Sequence, residues 1–357
     1  MKELSIAVLA GDGIGIEVMA AATQVLQAVA PRIGRAFHLQ PHPAGAQHYV
    51  DAGESLPEAT LAACRAADAI LFGAMGLPHV RGADGTEIIP QLDIRFALDL
   101  YAGVRPVRTW PGLPVPLSDP RATGIDLVLV RENTEGLFWA RGRGVVDGDA
   151  VCDTMRISRA GTGRVVDFAL RLAQKRREQG RPGRVTNVDK ANVFRSMAFW
   201  REIFVERAAA FPDVQTEHAY VDAMALNLVL KPWAYDVLVT ENMFGDILSD
   251  LIASLVGGMG MAPSGDIGDQ HALFQPAHGT APDIVGKGIA NPTAMILSAA
   301  MMLEWLAQRD GDTALADGAQ AIESAVHGAF ESDGVRPYEM GGRSGTADIT
   351  RAVLERL

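Results

Sequence analysis

Short apolar or β-branched runs alternate with longer stretches of helical character along almost the whole chain, and this alternation restricts the fold more than any other feature. SIAVLA (5–10) precedes a helical stretch from Glu17 to Ala30. AFHLQ (36–40) leads to a helix near Pro57 to Ala66, and AILFGA (69–74) closes that unit. DLVLV (126–130), RVTNV (184–188), VQTEHAYV (214–221) and DVLVT (236–240) read as further strands. Val165 to Gln179 and Arg195 to Ala210 read as helices between them, and Thr293–Gln308, Ala314–Phe330 and Thr346–Leu357 as three closing helices. Strands alternating with helices predict an α/β fold with a largely parallel sheet. The segment RPVRTWPGLPVPLSDPRATG (105–124) carries five prolines and breaks the pattern, which marks it as a crossing between domains. With 357 residues the chain can form two domains or one large α/β unit.

The formal net charge of −11 argues against a nucleic-acid or anionic-membrane partner. It leaves room for an anionic substrate, because a local arginine cluster can reverse the field. No apolar run reaches the length of a membrane span, and the opening MKELSIAVLAGDG reads as a first strand rather than a signal peptide. Cys64 and Cys152 form neither a CxxC nor a zinc spacing, so a reducing cytoplasm is expected.

Several short motifs sit where strands end. VTENMFGDILSD (239–250) places Asp246 and Asp250 four residues apart at the start of a predicted helix. They share a face and repel, so they either complement the helix dipole or share a cation. Asp222 follows the strand HAYV, as an N-cap or as a third ligand; an oxygen-only set of Asp222, Asp246 and Asp250 would suit Mg²⁺ or Mn²⁺. Arg95 lies in a helical stretch, Arg105 in GVRPV, and Arg131 directly after DLVLV. Arginines are usually solvated, but the C-terminal end of a buried strand is where α/β folds place ligand residues, and a guanidinium matches a carboxylate. Lys190, in NVDKANVFR, is either a surface lysine or a base. GDGIGIE (11–17) is either a dinucleotide turn or simply a tight turn. PAHGTAPDIVGKGIANPTA (276–294) is dense in turn residues, as a loop with a role or a plain connection.

In this order, GDGIG, VRPV, RENTEG, VDKANV, YVDAM, FGDILSD and HGTAPDI resemble the β-decarboxylating dehydrogenases, the family of isopropylmalate, isocitrate, homoisocitrate, tartrate and D-malate dehydrogenases. The resemblance covers nearly the whole chain. It implies a two-domain, isopropylmalate-dehydrogenase-like α/β fold with a mixed, largely parallel sheet, not a Rossmann fold. Residues 1–101 and 257–357 would form one discontinuous domain carrying the NAD-binding loops. Residues 102–256 would form the substrate, metal and dimerisation domain. A homodimer with shared sites is implied, in which Lys190 and Asp222 serve the neighbouring subunit's cleft.

The chemistry implied by the resemblance is NAD-dependent oxidative decarboxylation of a 3-substituted malate. Asp246 and Asp250, with the partner's Asp222, would hold Mg²⁺ or Mn²⁺. Lys190 would take the C2 hydroxyl proton, and Arg95, Arg105 and Arg131 would hold the substrate carboxylates. Gln91, Phe138 and Val193 are expected to contact substrate. His278, Gly279, Thr280, Ala281, Asp283, Ile284 and Asn291 are expected to bind the cofactor, with Asp283 on the adenosine ribose favouring NAD⁺ over NADP⁺. Three positions depart from the family pattern: Phe138 replaces a tyrosine that protonates the enol, Gln275 replaces a glutamate, and Ile16 replaces a proline. Gln91 replaces one of two adjacent leucines of isopropylmalate enzymes, and RPVRTWPGLPVPL looks most like the tartrate and D-malate branch. A tartrate- or D-malate-like substrate is therefore expected first and 3-isopropylmalate second. A binding protein without turnover is the alternative from another class.

Overall fold

The computed structural model describes residues 3–357. The chain begins β1 (Glu3–Gly11), α1 (Gly15–Val29), β2 (Ala36–Pro41), α2 (Ala46–Ala52), α3 (Glu58–Ala66), β3 (Ala69–Ala74), α4 (Pro90–Ala97) and β4 (Ala102–Arg108). It continues with β5 (Asp126–Glu132), a two-stranded arm of β6 (Val145–Asp147) and β7 (Ala150–Cys152), α5 (Arg159–Glu178), β8 (Arg184–Asp189), α6 (Arg195–Ala208), β9 (Gln215–Tyr220) and α7 (Val221–Leu230). It ends with β10 (Val237–Thr240), α8 (Asn242–Ser254), β11 (Pro263–Ile267), β12 (Ala272–Pro276), α9 (Thr293–Asp310), α10 (Thr313–Glu331) and α11 (Thr346–Arg356).

Ten strands form one sheet in the order β2-β1-β3-β12-β11-β4-β5-β10-β8-β9. Both flanks are parallel: β2, β3, β8, β9 and β10 are each entered from a helical connection, and β12 adds to β3 in parallel after its hairpin with β11. The middle is not: β11 runs antiparallel to β12 and β4, and β4 runs antiparallel to β5. The sheet is therefore mixed and largely parallel.

Helices cover both faces. One large apolar cluster joins β1, β3 and β12 to α1, α9, α10 and α11, with Met295, Ile296, Ala299 and Leu303 of α9 fully enclosed. Two further clusters lie around β5, β8 and β10, centred on Trp200 and Phe204 of α6 in one and on Leu248 and Ile252 of α8 in the other. Helix α5 begins six residues before the expected Val165. Ser158 caps it, its hydroxyl accepting the Gly161 N–H at 3.0 Å, while Gly161 and Gly163 mask the helical signal in the sequence. Among the described residues, no helix is long and apolar enough to cross a membrane.

Candidate active site

The C-terminal ends of β5 and β10 lie side by side, with Thr240 in register with Arg131. Helix α8 starts there. Gly245 lets it approach, since a side chain at this position would lie 2.7 Å from the Arg131 Cβ. A cavity of about 250 Å³ opens at this point, lined by Gln91, Arg95, Arg105, Arg131, Phe138, Asp246, Asp250, Gln275 and His278 among others.

The three arginines reach it from α4, β4 and β5, and all are buried. Burial pushes the Arg131 guanidinium down to about 10 and also lowers that of Arg105, yet both remain charged at neutral pH. Arg131 donates to the Asn242 side chain at 2.9 Å and pairs with Asp246. Arg105 Nε and Arg131 Nη2 are buried and have no partner. The same is true of Gln91 Oε1 and His278 Nε2 on the same cavity. Buried polar atoms are nearly always satisfied, so four orphans around one cavity describe a site shaped for a polar ligand.

Asp246 and Asp250 both face the cavity from α8. The dipole explanation for them fails, because neither lies in the first turn of α8, where the dipole acts; the N-terminus itself is capped by Glu241, whose carboxylate accepts from Phe244 N at 2.7 Å and Met243 N at 3.1 Å. Asp250 is held above the ordinary carboxylate range by burial and by the charge of Asp246. The pair gains from a cation, and its all-oxygen character fits a hard divalent one. Among the described residues no third potential ligand joins them.

One buried charged group beside the cavity had no local signal. Asp266, fully buried on β11, accepts Arg95 Nε, Asn133 Nδ2 and Gln275 Nε2, each at 2.8 Å. The only hint in the sequence was indirect: three buried arginines demand a buried counter-charge.

Phe138 lines the cavity with its ring beneath the Arg131 guanidinium, 4.8 Å from the ring centre. Trp139 turns elsewhere and stacks with Arg143 at 4.2 Å.

The loop after β12 borders the cavity at His278 and Gly279. Burial lowers the His278 pKa, and its Nδ1 lies 2.8 Å from the Gly279 carbonyl, which assigns the proton to Nδ1 and leaves Nε2 an acceptor. The GDGIG turn docks on this loop, with Ile14 N donating to the Thr280 carbonyl at 3.0 Å. Gly13 adopts φ +56° there, with no room for a side chain against Thr280. The N–H groups of Asp12, Ile14 and Gly15 are all spent inside the fold, and the Asp12 carboxylate accepts from Ala46, Gln47 and Gly76. The turn is thus no pyrophosphate cradle. Ala281 takes a left-handed φ of 38°, Asp283 is exposed, and Ile284 is half-buried. Asn291 is engaged within the protein, donating to Glu339 at 2.6 Å and accepting from Thr293 N at 3.1 Å.

Lys190, Asp222 and Val193 do not line the cavity. Lys190 Nζ pairs with Asp222 at 2.8 Å, and Val193 is exposed on the next turn of chain. Asp222 is not an N-cap: Tyr220 holds that position, and Asp222 lies inside the first turn of α7.

Residues 5–353 match the family model described as isocitrate/isopropylmalate dehydrogenase. The chain is 40% identical over 366 residues to a 3-isopropylmalate dehydrogenase of Aquifex aeolicus, covering 100% of this chain and 98% of that one. It is 39% identical over 353 residues to a 3-isopropylmalate/3-methylmalate dehydrogenase of Methanocaldococcus jannaschii, covering 99% and 98%. Among solved structures, an isocitrate dehydrogenase of Methylococcus capsulatus superposes with a TM-score of 0.87 at 37% identity, over 99% of both chains. A β-decarboxylating dehydrogenase of Thermococcus kodakarensis superposes with a TM-score of 0.78 at 36% identity, over 99% of this chain and 96% of that one. This chain belongs to the isocitrate/isopropylmalate dehydrogenase family and is a decarboxylating oxidoreductase of it.

Proposed function

We propose that the cavity binds a 3-substituted malate for NAD⁺- and divalent-metal-dependent oxidative decarboxylation, with 3-isopropylmalate as the substrate. The observation that carries this reading is the set of unpartnered donors on buried Arg105 and Arg131 beside the carboxylate pair of α8. Charge supports it. Arg95, Arg105 and Arg131 contribute three positive charges, and Asp246, Asp250 and Asp266 three negative ones. The protein charges cancel, so a divalent cation leaves a surplus that a dicarboxylate dianion neutralises. A buried, uncompensated charge costs several kcal/mol, so this balance favours filling both places together.

The substituent on C3 calls for a correction. The likeness of RPVRTWPGLPVPL to the tartrate and D-malate branch is local, whereas full-length relatives carry the 3-isopropylmalate name. Met75, Ile89 and Leu92 give the cavity an apolar wall that an isopropyl group would cover. Gln91 supports a second reading, because its unpartnered Oε1 suits a C3 hydroxyl. Ranking kcat/KM for 3-isopropylmalate, tartrate and D-malate separates the two. 3-Isopropylmalate is expected to lead, and a tenfold lead for tartrate would overturn the choice.

Asp246 and Asp250 would hold the cation, with Asp222 of a second copy as the third ligand. Bound metal would supply Lewis acidity at the C2 oxygen. Bound NAD⁺ would supply the hydride acceptor, on the side of His278 to Ile284. Arg95, Arg105 and Arg131 hold and orient the substrate carboxylates, and their burial keeps those contacts strong. Lys190 of a second copy takes the proton of the C2 hydroxyl. Asn291 acts within the protein, fixing the loop before α9 through Glu339.

The shared site needs a dimer. Leu226, Val229 and Leu230 of α7, Ile247 of α8, and Val145, Val146 and Val151 of the β6–β7 arm are exposed. Uncovered apolar surface of this extent, part of it on the helix that carries Asp222, fits a second copy of the chain. We assign residues 1–101 with 257–357 to the cofactor domain and residues 102–256 to the substrate and dimer domain. The three apolar clusters support that division in the main, with Trp110 and Ala262 packing across it. The free thiols Cys64 and Cys152 suit the cytoplasm.

A further inference from the structure

We infer that Asp266, held by Gln275, is the positioning residue that aims Arg95 and Arg105 at the substrate carboxylate. This rests on the reading of the cavity as a carboxylate site. Arginine side chains have four rotatable bonds, and an arginine aimed into an open cavity must be fixed from behind to act as a rigid fork. Asp266 does this from the floor of the site. One of its oxygens takes Arg95 Nε at 2.8 Å. The other takes Asn133 Nδ2 at 2.8 Å and lies 3.9 Å from Arg105 Nη2. Contact through Arg95 Nε leaves that arginine's terminal nitrogens for other partners.

The sheet fixes Asp266 in turn. It stands on β11, in register with Gly103 of β4 and Leu273 of β12. These two antiparallel neighbours clamp its backbone. A side chain on Gly103 would lie 2.7 Å from Asn133 Oδ1, so glycine at that place is what admits Asn133 to the network. Burial alone would raise the Asp266 pKa, but Arg95 and Arg105 outweigh it and keep the carboxyl ionised.

Gln275 is the other half of the device. Its amide donates to the same Asp266 oxygen that takes Arg95. A carboxylate in its place would stand within hydrogen-bond distance of a second carboxylate, and two such groups cannot both ionise there. Glutamine therefore keeps one anion under the arginines. It also preserves the balance of three cations against three carboxylates that the substrate and metal complete.

The test uses the full-length protein with Asp266→Asn, Gln275→Glu and the double variant, which moves the carboxylate from β11 to β12. In the crystal structure of Asp266→Asn, the Arg95 guanidinium is expected to shift by about 1 Å or more. A shift of that size costs on the order of 100-fold in rate when it misplaces a substrate. KM for the malate should rise at least tenfold while KM for NAD⁺ stays within twofold. Gln275→Glu alone should acquire a pH dependence absent from the wild type, and the double variant should recover at least part of the lost kcat/KM. An Arg95 that keeps its position in Asp266→Asn would overturn the inference, as would equal changes in both KM values. If Asp266→Asn does not fold, the double variant decides: recovered activity supports the inference and inactivity in a folded protein defeats it. Failure of the functional reading shows separately, as a wild-type protein that oxidises no 3-substituted malate.

Discussion

Lys190 Nζ and the Asp222 carboxylate lie 2.8 Å apart, and neither residue lines the cavity that holds Asp246 and Asp250. Within one chain the proposed base and the third metal ligand therefore stand outside the site they would serve. A dimer that exchanges them resolves this. Lys190→Ala and Asp246→Asn chains should each be inactive alone. Mixed and reassociated at equal concentration, they should regain about a quarter of wild-type activity, since ~half of random dimers are hybrids and each hybrid has one intact site. Verified hybrids without activity would show that each chain completes its own site.

Asp246 and Asp250 share one face of α8 with no cation from their own helix between them. Chelator should abolish activity, and Mn²⁺ should restore it. Asp246→Asn should weaken Mn²⁺ binding, measured by direct titration, by at least roughly tenfold, because cation affinity follows ligand charge. Full activity in excess chelator would remove the metal from the account.

His278 must be neutral for its buried Nε2 to accept a hydrogen bond, and burial lowers its pKa below the usual value. The sign follows: protonation at low pH turns the acceptor into a donor, so NAD⁺ binding weakens as pH falls through that depressed pKa. KM for NAD⁺ should be flat above pH ~6.5 and rise only in more acidic buffer. His278→Gln should flatten the profile. A midpoint well above 6.5 would contradict the assignment.

Asp283 is exposed on the loop between β12 and α9, the one proposed to meet NAD⁺. A carboxylate on the adenosine ribose accepts from its hydroxyls and repels a 2′-phosphate. Repulsion of unit charges 4 Å apart is worth about 1 kcal/mol in water, and the phosphate carries close to two charges. NAD⁺ should therefore exceed NADP⁺ by more than about tenfold in kcat/KM. Asp283→Ala should narrow the gap, and a wild type that prefers NADP⁺ would sink the reading.

Phe138 occupies the cavity wall without a transferable proton. On the proposed reading, with phenylalanine where the family pattern has a tyrosine, the enol left by CO₂ loss would be protonated by another group. Phe138→Tyr should raise turnover, with the ~10²–10⁴-fold worth of general acid catalysis as the ceiling. In D₂O, the variant should place deuterium at C3 with a single configuration more cleanly than the wild type. An unchanged rate with fully stereospecific wild-type product would mean another acid already fills the role.

The parallel flanks of the sheet were legible because β1, β3, β5, β8 and β10 are apolar runs followed by helices. The middle was not. AGVRPVR, PSGDI and ALFQP are short, rich in glycine and proline, and stabilised by pairing with one another rather than by their own pattern. Their antiparallel insertion is what joins the two flanks into one sheet. The same physics divides the site. Arg131, Asp222, Asp246 and Lys190 stand at or just beyond strand ends, where position admits a ligand role and the order of motifs made it the expected one. Asp266 lies inside one of the hidden strands, and its GDIGD setting reads as a turn. Its partners come from residues as far as 171 positions away in the chain, so no local pattern can announce it.

The most direct measurement follows NADH and CO₂ together when the purified protein, NAD⁺ and Mn²⁺ meet 3-isopropylmalate. The account predicts equal amounts of the two products, with none from Arg105→Met, which keeps much of the side-chain volume but loses the cavity's fork. NADH without CO₂, or no product from 3-isopropylmalate, tartrate or D-malate, would contradict it.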